Sequence, residues 1–361
     1  MALSARMLAA SAVRAGYRCI AVDLFADRDT RSIADCVRLS SFQEPHVLGA
    51  LAALHAEYGR LPLIYGSGLD SRLDLLEQMK AYVQLVGNST GTLQVVQDPT
   101  YFFGLLDRLR IPYPEIRFDP PGDASGWLFK IAFTEGGFGV LPASAHIPGT
   151  CGYFQRKIDS PSYSVSFIAN RKTAQILGFN TQLQAALDNR VPYRFSGIIN
   201  RASLSPAQKA SLASWIHRLV ESIELVGFHS LDFVIVAGAV LVLELNPRPC
   251  ASLMLYDQDF ASGLVNAHIR AVTECQLQKA QSTSRRVRGL EIVYANSALR
   301  LPQSYRWPRW AVDRPATATR IYRGDAICTI TASGGSQQSV RFLLRRRRYA
   351  ILKDLGLEGL A

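Results

Sequence analysis

The sequence predicts an α/β protein of more than one unit, on three observations. Apolar strand runs alternate with helical segments over residues 1–95. A long β-hairpin ends in the acidic motif formed by Asp232 and Glu244-Leu245-Asn246-Pro247-Arg248. A lysine on a short strand, Lys130, precedes the glycine-rich stretch Glu135-Gly136-Gly137-Phe138-Gly139-Val140. With 361 residues the chain is too long for one ordinary core, and 48% hydrophobic against 19% charged residues suits packed domains and argues against disorder.

The elements follow in order. Residues 4–16 carry helical spacing and stop at Gly16. Tyr17 to Leu24 reads as a buried strand ending in Asp23, residues 46–59 as a helix, and Leu61 to Gly68 as a second strand. The strand expected ahead of the first helix is reduced to Met1-Ala2-Leu3, which reads as a truncated or misassigned start. Residues 99–110 form a helix opened by Pro99 and broken by Ile111-Pro112-Tyr113-Pro114. Trp127 to Phe167 alternates strand runs with glycine loops. Residues 206–226 read as an amphipathic helix, Phe228 to Asn246 as a hairpin turning at Ala237-Gly238, and 258–276 as a helix. The polar stretch Gln278 to Ser284 marks a boundary before a strand-rich tail and a final helix. The predicted domains are 1–95, 96–277 with a small lid over about 113–158, and 278–361.

Composition excludes several functions. No apolar run approaches the roughly 20 residues that span a bilayer. Met1 to Arg6 lacks the apolar stretch of a secretory signal, so a cytoplasmic protein without membrane contact is expected. The six cysteines form no CxxC pair and the six histidines show no ligand spacing, which argues against a zinc site or a disulfide framework. The net charge of +11 concentrates in Arg285-Arg286-Val287-Arg288 and Arg345 to Arg348. The second run abuts apolar residues and reads as the solvated face of a helix, not as a nucleic-acid patch.

The chemistry lies in two places. Glu244 and Asn246 are two apart on one strand, so their side chains leave the same face. With Asp232 from the partner strand they make an oxygen site suited to magnesium. Arg248 beyond them carries a fork of donors for a phosphate or carboxylate. Lys130 followed by Gly136, Gly137 and Gly139 suits phosphate binding without being a Walker A loop.

Together these elements resemble the ATP-grasp superfamily over nearly the whole chain. The order is a small α/β domain, the FK…GGFGV lysine and glycine loop, the strand Tyr153-Phe154-Gln155-Arg156-Lys157-Ile158, and the D…ELNPR hairpin, whose acids stand 244 − 232 = 12 residues apart. The resemblance implies an ATP-grasp fold with an N-terminal Rossmann-like pre-ATP-grasp domain and a small C-terminal α+β domain. It further implies ATP and Mg2+, or Mn2+, as cofactors. It places Lys130 on the α- and β-phosphates and Gly136, Gly137 and Gly139 over the triphosphate. Gln155, Arg156, Lys157 and Ile158 fall at the adenine, Asp232, Glu244 and Asn246 on the metal, and Arg248 at the reacting group. Three positions depart from that pattern. Arg156 stands where a glutamate is usual, Ser162 where a ribose-holding glutamate is common, and Gln97-Asp98 where a nucleotide lysine is often found.

The segments SARMLAASAVRAGYRCIAVDLFADRDT, ELNPRPCAS and GDAICTITA are similar to the ATP-grasp proteins encoded beside tetrahydromethanopterin and methylofuran synthesis genes, relatives of tyramine–glutamate ligase. The implied activity is a ligase joining a small-molecule carboxylate to an amine through an acyl-phosphate, in cofactor biosynthesis, and the implied assembly a homodimer. Two alternatives stay open: a catalytically degenerate ATP-binding protein, and a carboxylase, since the tail resembles the C-terminal domain of biotin carboxylase.

Overall fold

The computed structural model describes residues 1–185, 191–281 and 286–357; Arg285 of the first basic run and Ser282 to Ser284 of the polar boundary lie outside the described residues. The backbone of the chain is an eight-stranded sheet in which every neighbouring pair is antiparallel. Its order begins with the hairpin strands Ala239–Asn246 and Val226–Val236. Ser162–Asn170, Ala174–Gln184 and Phe195–Asn200 follow, then Val287–Tyr294, Ala326–Gly334 and Ala311–Val312. The tail strands thus extend the same sheet, through the pairing of Ile198 with Leu290, while the helix Gln337–Asp354 covers them with Val340, Leu344 and Ile351.

The helix Pro206–Ile223 closes another part of this sheet. Its Ser205–Gln208 capping box and Pro206 in the first turn satisfy and preset its N-terminus. Leu212, Ile216 and Leu219 then pack with Phe102 and Leu106 of the helix Pro99–Arg108 against Val165, Phe167, Phe233 and Val242 of the sheet. A second, four-stranded sheet spans the residues expected to form the lid, in the order Ile116–Arg117, Gly152–Arg156, Trp127–Ile131 and Val140–Pro142.

The N-terminal unit holds two parallel pairs, Ile20–Asp23 with Asp35–Arg38 and Leu61–Leu63 with Val83–Leu85. The second strand is shorter than the sequence suggests because its end is redirected to the chain's own beginning. Residues 1–3 lie between the two pairs. The Ala2 amide donates to Val22 O at 3.3 Å and the Leu3 amide to Ser67 O at 2.9 Å, while the Gly66 amide donates to Met1 O at 2.8 Å. These three residues therefore bridge both pairs as a strand would.

The final helix carries the expected exposed basic face in Arg345, Arg346 and Arg348, with part of it also bound to the sheet. Arg347 donates to Thr331 O and stacks over Trp310, and Arg348 pairs with Glu291 at 2.5 Å. Two of the four arginines thus fasten the helix to the sheet. No helix among the described residues is long and apolar enough to cross a membrane.

Polar contacts join the N-terminal unit to the hairpin. The buried Asn88 amide donates to Pro247 O at 2.8 Å, accepts from the Val226 amide at 2.9 Å and meets His229 at 3.1 Å. Burial drives His229 down to about 3, so it stays neutral and can serve Asn88 as an uncharged partner. Asn88→Ala leaves a buried amide and a buried carbonyl unpaired, so it should lower unfolding stability by about 3 kcal/mol. Urea denaturation checks this, and an unchanged midpoint would show that the junction does not rest on Asn88.

Candidate active site

A β-bulge builds the acidic centre. The two-residue turn puts Ala237 and Gly238 at positive φ and pairs Val236 with Ala239, Ile235 with Val240, Val234 with Leu241 and Phe233 with Val242. Strict continuation would set Leu243 opposite Asp232. Instead the register shifts between Asp232 and Phe233, and Glu244 comes opposite Asp232, with Asn246 opposite Ser230. The Asn246 amide then stands 3.5 Å from Asp232 and 3.4 Å from Glu244. Gln182 and Ser230 hold the Asp232 carboxylate at 2.8 and 3.0 Å. Burial, then Glu244, push Asp232 up to about 7 against those two donors.

These three residues fit a divalent cation. The two carboxylates face each other, Glu244 makes the Asp232 charge costlier, and a half-turn of the Asn246 amide presents its oxygen to the same point. No cluster of three or more His, Cys, Asp or Glu side chains suited to a metal occurs among the described residues. Two carboxylates with one amide match a magnesium ion that takes its remaining ligands from phosphate oxygens and water.

Lys130, on the lid strand Trp127–Ile131, faces the same space. Burial alone would lower its ammonium, but Tyr153, Glu244 and Asp232 outweigh it and leave the pKa raised, so the lysine is charged. The cavity around it has a volume of about 1260 Å³, and its walls include Lys130, Gln155, Ser162, Asp232, Glu244 and Arg248. It exceeds the ~300–1,000 Å³ of a single-ligand pocket and has room for a nucleotide and a second molecule. The buried Gln155 leaves its side-chain nitrogen without a partner in this wall, a donor free for a polar ligand.

The other hinge positions divide. The Arg156 and Lys157 amides are used by Glu115 O at 2.8 Å and Gly126 O at 2.9 Å, which join the strand to the rest of the lid. The Arg156 side chain is exposed and stacks over Trp127, Lys157 pairs with Asp159 at 2.7 Å, and Ile158 and Ser162 line the cavity. The glycine loop lies down over this cavity. Its Gly136 O accepts from the Phe195 amide at 3.0 Å, and Arg194 stacks on Phe138. Gly137, at φ +78, passes so close to the Tyr193 carbonyl that a Cβ would sit 2.1 Å from its oxygen. At Gly139 a Cβ would meet the Thr134 hydroxyl at 2.0 Å.

Arg248, which the resemblance sets at the reacting group, lines the same cavity. It is 6% exposed and bound on two sides, to Asp70 at 2.8 Å and to Glu135 of the glycine loop at 2.5 Å. Its remaining nitrogen reaches Pro249 O only at 3.4 Å, and that edge is the least committed. Sequence reasoning missed Asp70, Gln182 and Tyr153, and gave Glu135 no role. Asp70 was signalled by an acid directly after the glycine-punctuated end of an N-terminal strand; Gln182 carried no signal, because its strand reads as ordinary alternation.

A lysine-bearing lid and a glycine loop that close on an acidic hairpin are the arrangement of the ATP-grasp fold. Residues 108–252 match the family model of the ATP-grasp domain, and the chain has the ATP-grasp fold along its length. No curated protein sequence matches the chain. Among solved structures it is similar to N5-carboxyaminoimidazole ribonucleotide synthetase from Thermus thermophilus, at 15% identity over 98% of this chain and 96% of that one, with a TM-score of 0.69. It is likewise similar to L-amino acid ligase from Bacillus licheniformis, at 13% identity, 97% and 94% coverage and a TM-score of 0.70. The biotin carboxylase domain of 2-oxoglutarate carboxylase from Hydrogenobacter thermophilus, solved with MgADP and bicarbonate, is 12% identical over 95% of this chain and 87% of that one, with a TM-score of 0.75.

Two outcomes follow from this geometry. Gly137→Ala forces the loop away from Tyr193, so MgATP affinity should fall about tenfold with the unfolding midpoint nearly unchanged; calorimetric titration and melting measure both. For Asp232 the folded pKa of about 7 lies above the ordinary 3.8, so its charge costs stability as pH rises through that interval and costs nothing below it. In EDTA, Asp232→Asn should melt above wild type at alkaline pH and converge with it as pH falls to 3.8. A gap of constant size would show that the carboxylate is not strained.

Proposed function

We propose that the protein is an ATP- and magnesium-dependent ligase that joins a carboxylate to an amine through an acyl-phosphate. The carrying observation is the meeting of Asp232, Glu244 and Asn246, within 3.5 Å through the Asn246 amide, in one cavity with Lys130 and a closed glycine loop. The activity named for the Bacillus licheniformis protein, an amino acid ligase, supports the same reaction class.

In this reading the first step brings a carboxylate anion to the γ-phosphoryl group, and charge repulsion is the main barrier. When bound, magnesium held by Asp232, Glu244 and Asn246 supplies charge neutralisation between phosphate oxygens. Lys130 adds a fixed positive charge from the lid side. Arg248 holds Glu135 with one edge and keeps its least committed nitrogen for an oxygen of the reacting group. The loop from Glu135 to Val140 shuts water out, which preserves an acyl-phosphate until the amine arrives. No side-chain nucleophile is needed. The hinge departures bear on nucleotide affinity: Ser162 offers a ribose hydroxyl one neutral hydrogen bond where a carboxylate would give a charge-assisted one.

The Hydrogenobacter thermophilus protein, solved with bicarbonate, supports a second reading in which bicarbonate is the carboxylate that is activated. One experiment separates the readings. Protein, MgATP and hydroxylamine are incubated with a panel of carboxylates or with bicarbonate alone, and ADP and hydroxamate are measured. ADP with hydroxamate for a carboxylate supports the ligase; ADP with bicarbonate alone supports the carboxylase; silence in both arms with MgATP binding intact would sink catalysis. Glu244→Ala should remove the magnesium-dependent ADP signal, and Lys130→Ala should weaken MgATP binding about tenfold or more, the worth of a charge-assisted contact. Full activity in both variants would discredit the site.

A further inference from the structure

An acidic cluster that the ligase chemistry does not use reaches the cavity wall through Asp27 and Asp313. Four aspartates meet where the N-terminal unit abuts the tail: Asp23, Asp27, Asp29 and Asp313. Three of them are accounted for. Asp23 accepts from the Ala5, Phe25 and Ala26 amides at 2.9, 3.1 and 2.6 Å. Asp29 accepts from the Asp313 and Arg314 amides at 2.9 and 2.8 Å. Asp313 takes the Arg6 guanidinium at 2.6 Å and the Ser4 hydroxyl at 3.2 Å.

Asp27 is the exception. It is 5% exposed, lines the cavity, and its carboxyl group accepts no hydrogen bond from any described residue. Arg6, the cation that acts on it, directs its hydrogen bonds to Asp313 and to the Met254 sulfur at 3.2 Å. Four carboxylic acids stand against two guanidinium groups, Arg6 and Arg314, the latter 3.8 Å from Asp29, and against the buried Met1 amine beside Asp23, which burial lowers to about 6, so the acids outnumber the cations. A buried acid without a donor costs folding free energy, and such a cost is tolerated where a ligand offsets it. Burial, followed by Asp313, Asp29 and Asp23, lifts Asp27 to about 7 against the pull of Arg6, so a cation placed beside it would be strongly held. The neighbouring wall is apolar, with Leu3, Met7, Leu24, Phe25 and Met254.

We infer that Asp27 receives the ammonium group of the amine substrate, whose apolar body lies along this wall. The inference rests on the ligase reading only for the word substrate; the site itself is defined by an unpartnered buried carboxyl group on a cavity. It selects primary amines carried on apolar frames and disfavours anionic partners and neutral isosteres.

The test uses the full chain, with 2-phenylethylamine as probe and 2-phenylethanol as its neutral isostere, titrated calorimetrically above neutral pH. Wild type should bind the amine at least about tenfold tighter than the alcohol, and Asp27→Asn should lose that preference. Without ligand the variant should melt at or above wild type, because an uncompensated charge is gone; a merely structural Asp27 would give a lower melting point. Asp27→Ser gives the same readout should the asparagine variant fail to accumulate. Equal binding of amine and alcohol by wild type, or an undiminished preference in both variants, overturns the inference. Hydroxamate formation by wild type in that event leaves the ligase reading standing. An amine site that depends on Asp27 in a protein forming no ADP with any carboxylate rejects the ligase reading and keeps the site.

Discussion

The acidic centre exists because the hairpin strand Ala239–Asn246 carries one residue more than its partner needs. In a strict ladder, side chains alternate faces, so a slip of one position moves a residue from one face to the other. The bulge at Leu243 performs that slip once. It brings Glu244 opposite Asp232 and leaves Asn246 opposite Ser230, so that Ser230, Asp232, Glu244 and Asn246 share a face and an interaction network. The cost is local, an interrupted ladder, and it is borne between two strands whose apolar residues Phe233 and Val242 are fully buried. The site is therefore anchored by the core directly behind it.

A second node, Arg248, ties three parts of the cleft together. It follows the hairpin and binds Asp70 of the N-terminal unit and Glu135 of the glycine loop at once. Burial in low dielectric makes such an arrangement weak as a source of stability, yet removal of one partner would strand a charge. Asp70 is itself held by Gln97 at 2.8 Å. The position of the loop is thus fixed by the same guanidinium that touches the other two parts of the cleft. Substrate oxygens arriving at Arg248 would meet an arginine already oriented.

The departures from the usual pattern acquire physical meaning in this setting. Gln97, standing where a nucleotide lysine is often found, braces Asp70. Arg156, in place of a glutamate, turns outward and stacks over Trp127 at 5.0 Å, close to Arg117 over the same ring at 4.9 Å. The part of the cavity proposed for the nucleotide is consequently less acidic than the pattern implies, while Lys130, Gln155 and the glycine loop line it.

The amino-acid sequence by itself determined the elements and the kinds of chemistry. Period and punctuation specify the helix at 206–223, the hairpin with its Ala237-Gly238 turn and the glycine loop, because these signals are local: a capping box, two residues at positive φ, glycines where no Cβ fits. It also marked Glu244, a charge at the end of an apolar run that is poorly placed without a partner, with Asn246 on the same face, Asp232 on the facing strand, Arg248 just beyond and Lys130 ahead of the glycine stretch. Tertiary structure alone decided which of them meet. The bulge, the bridging of two parallel pairs by residues 1–3, the joining of Arg248 to Asp70 and Glu135, the docking of Arg347 and Arg348 on the sheet, and the isolation of Asp27 all depend on contacts between residues far apart in the chain. Local propensity carries no record of such pairings, because their energy comes from burial and from charges brought together only when the sheet is complete.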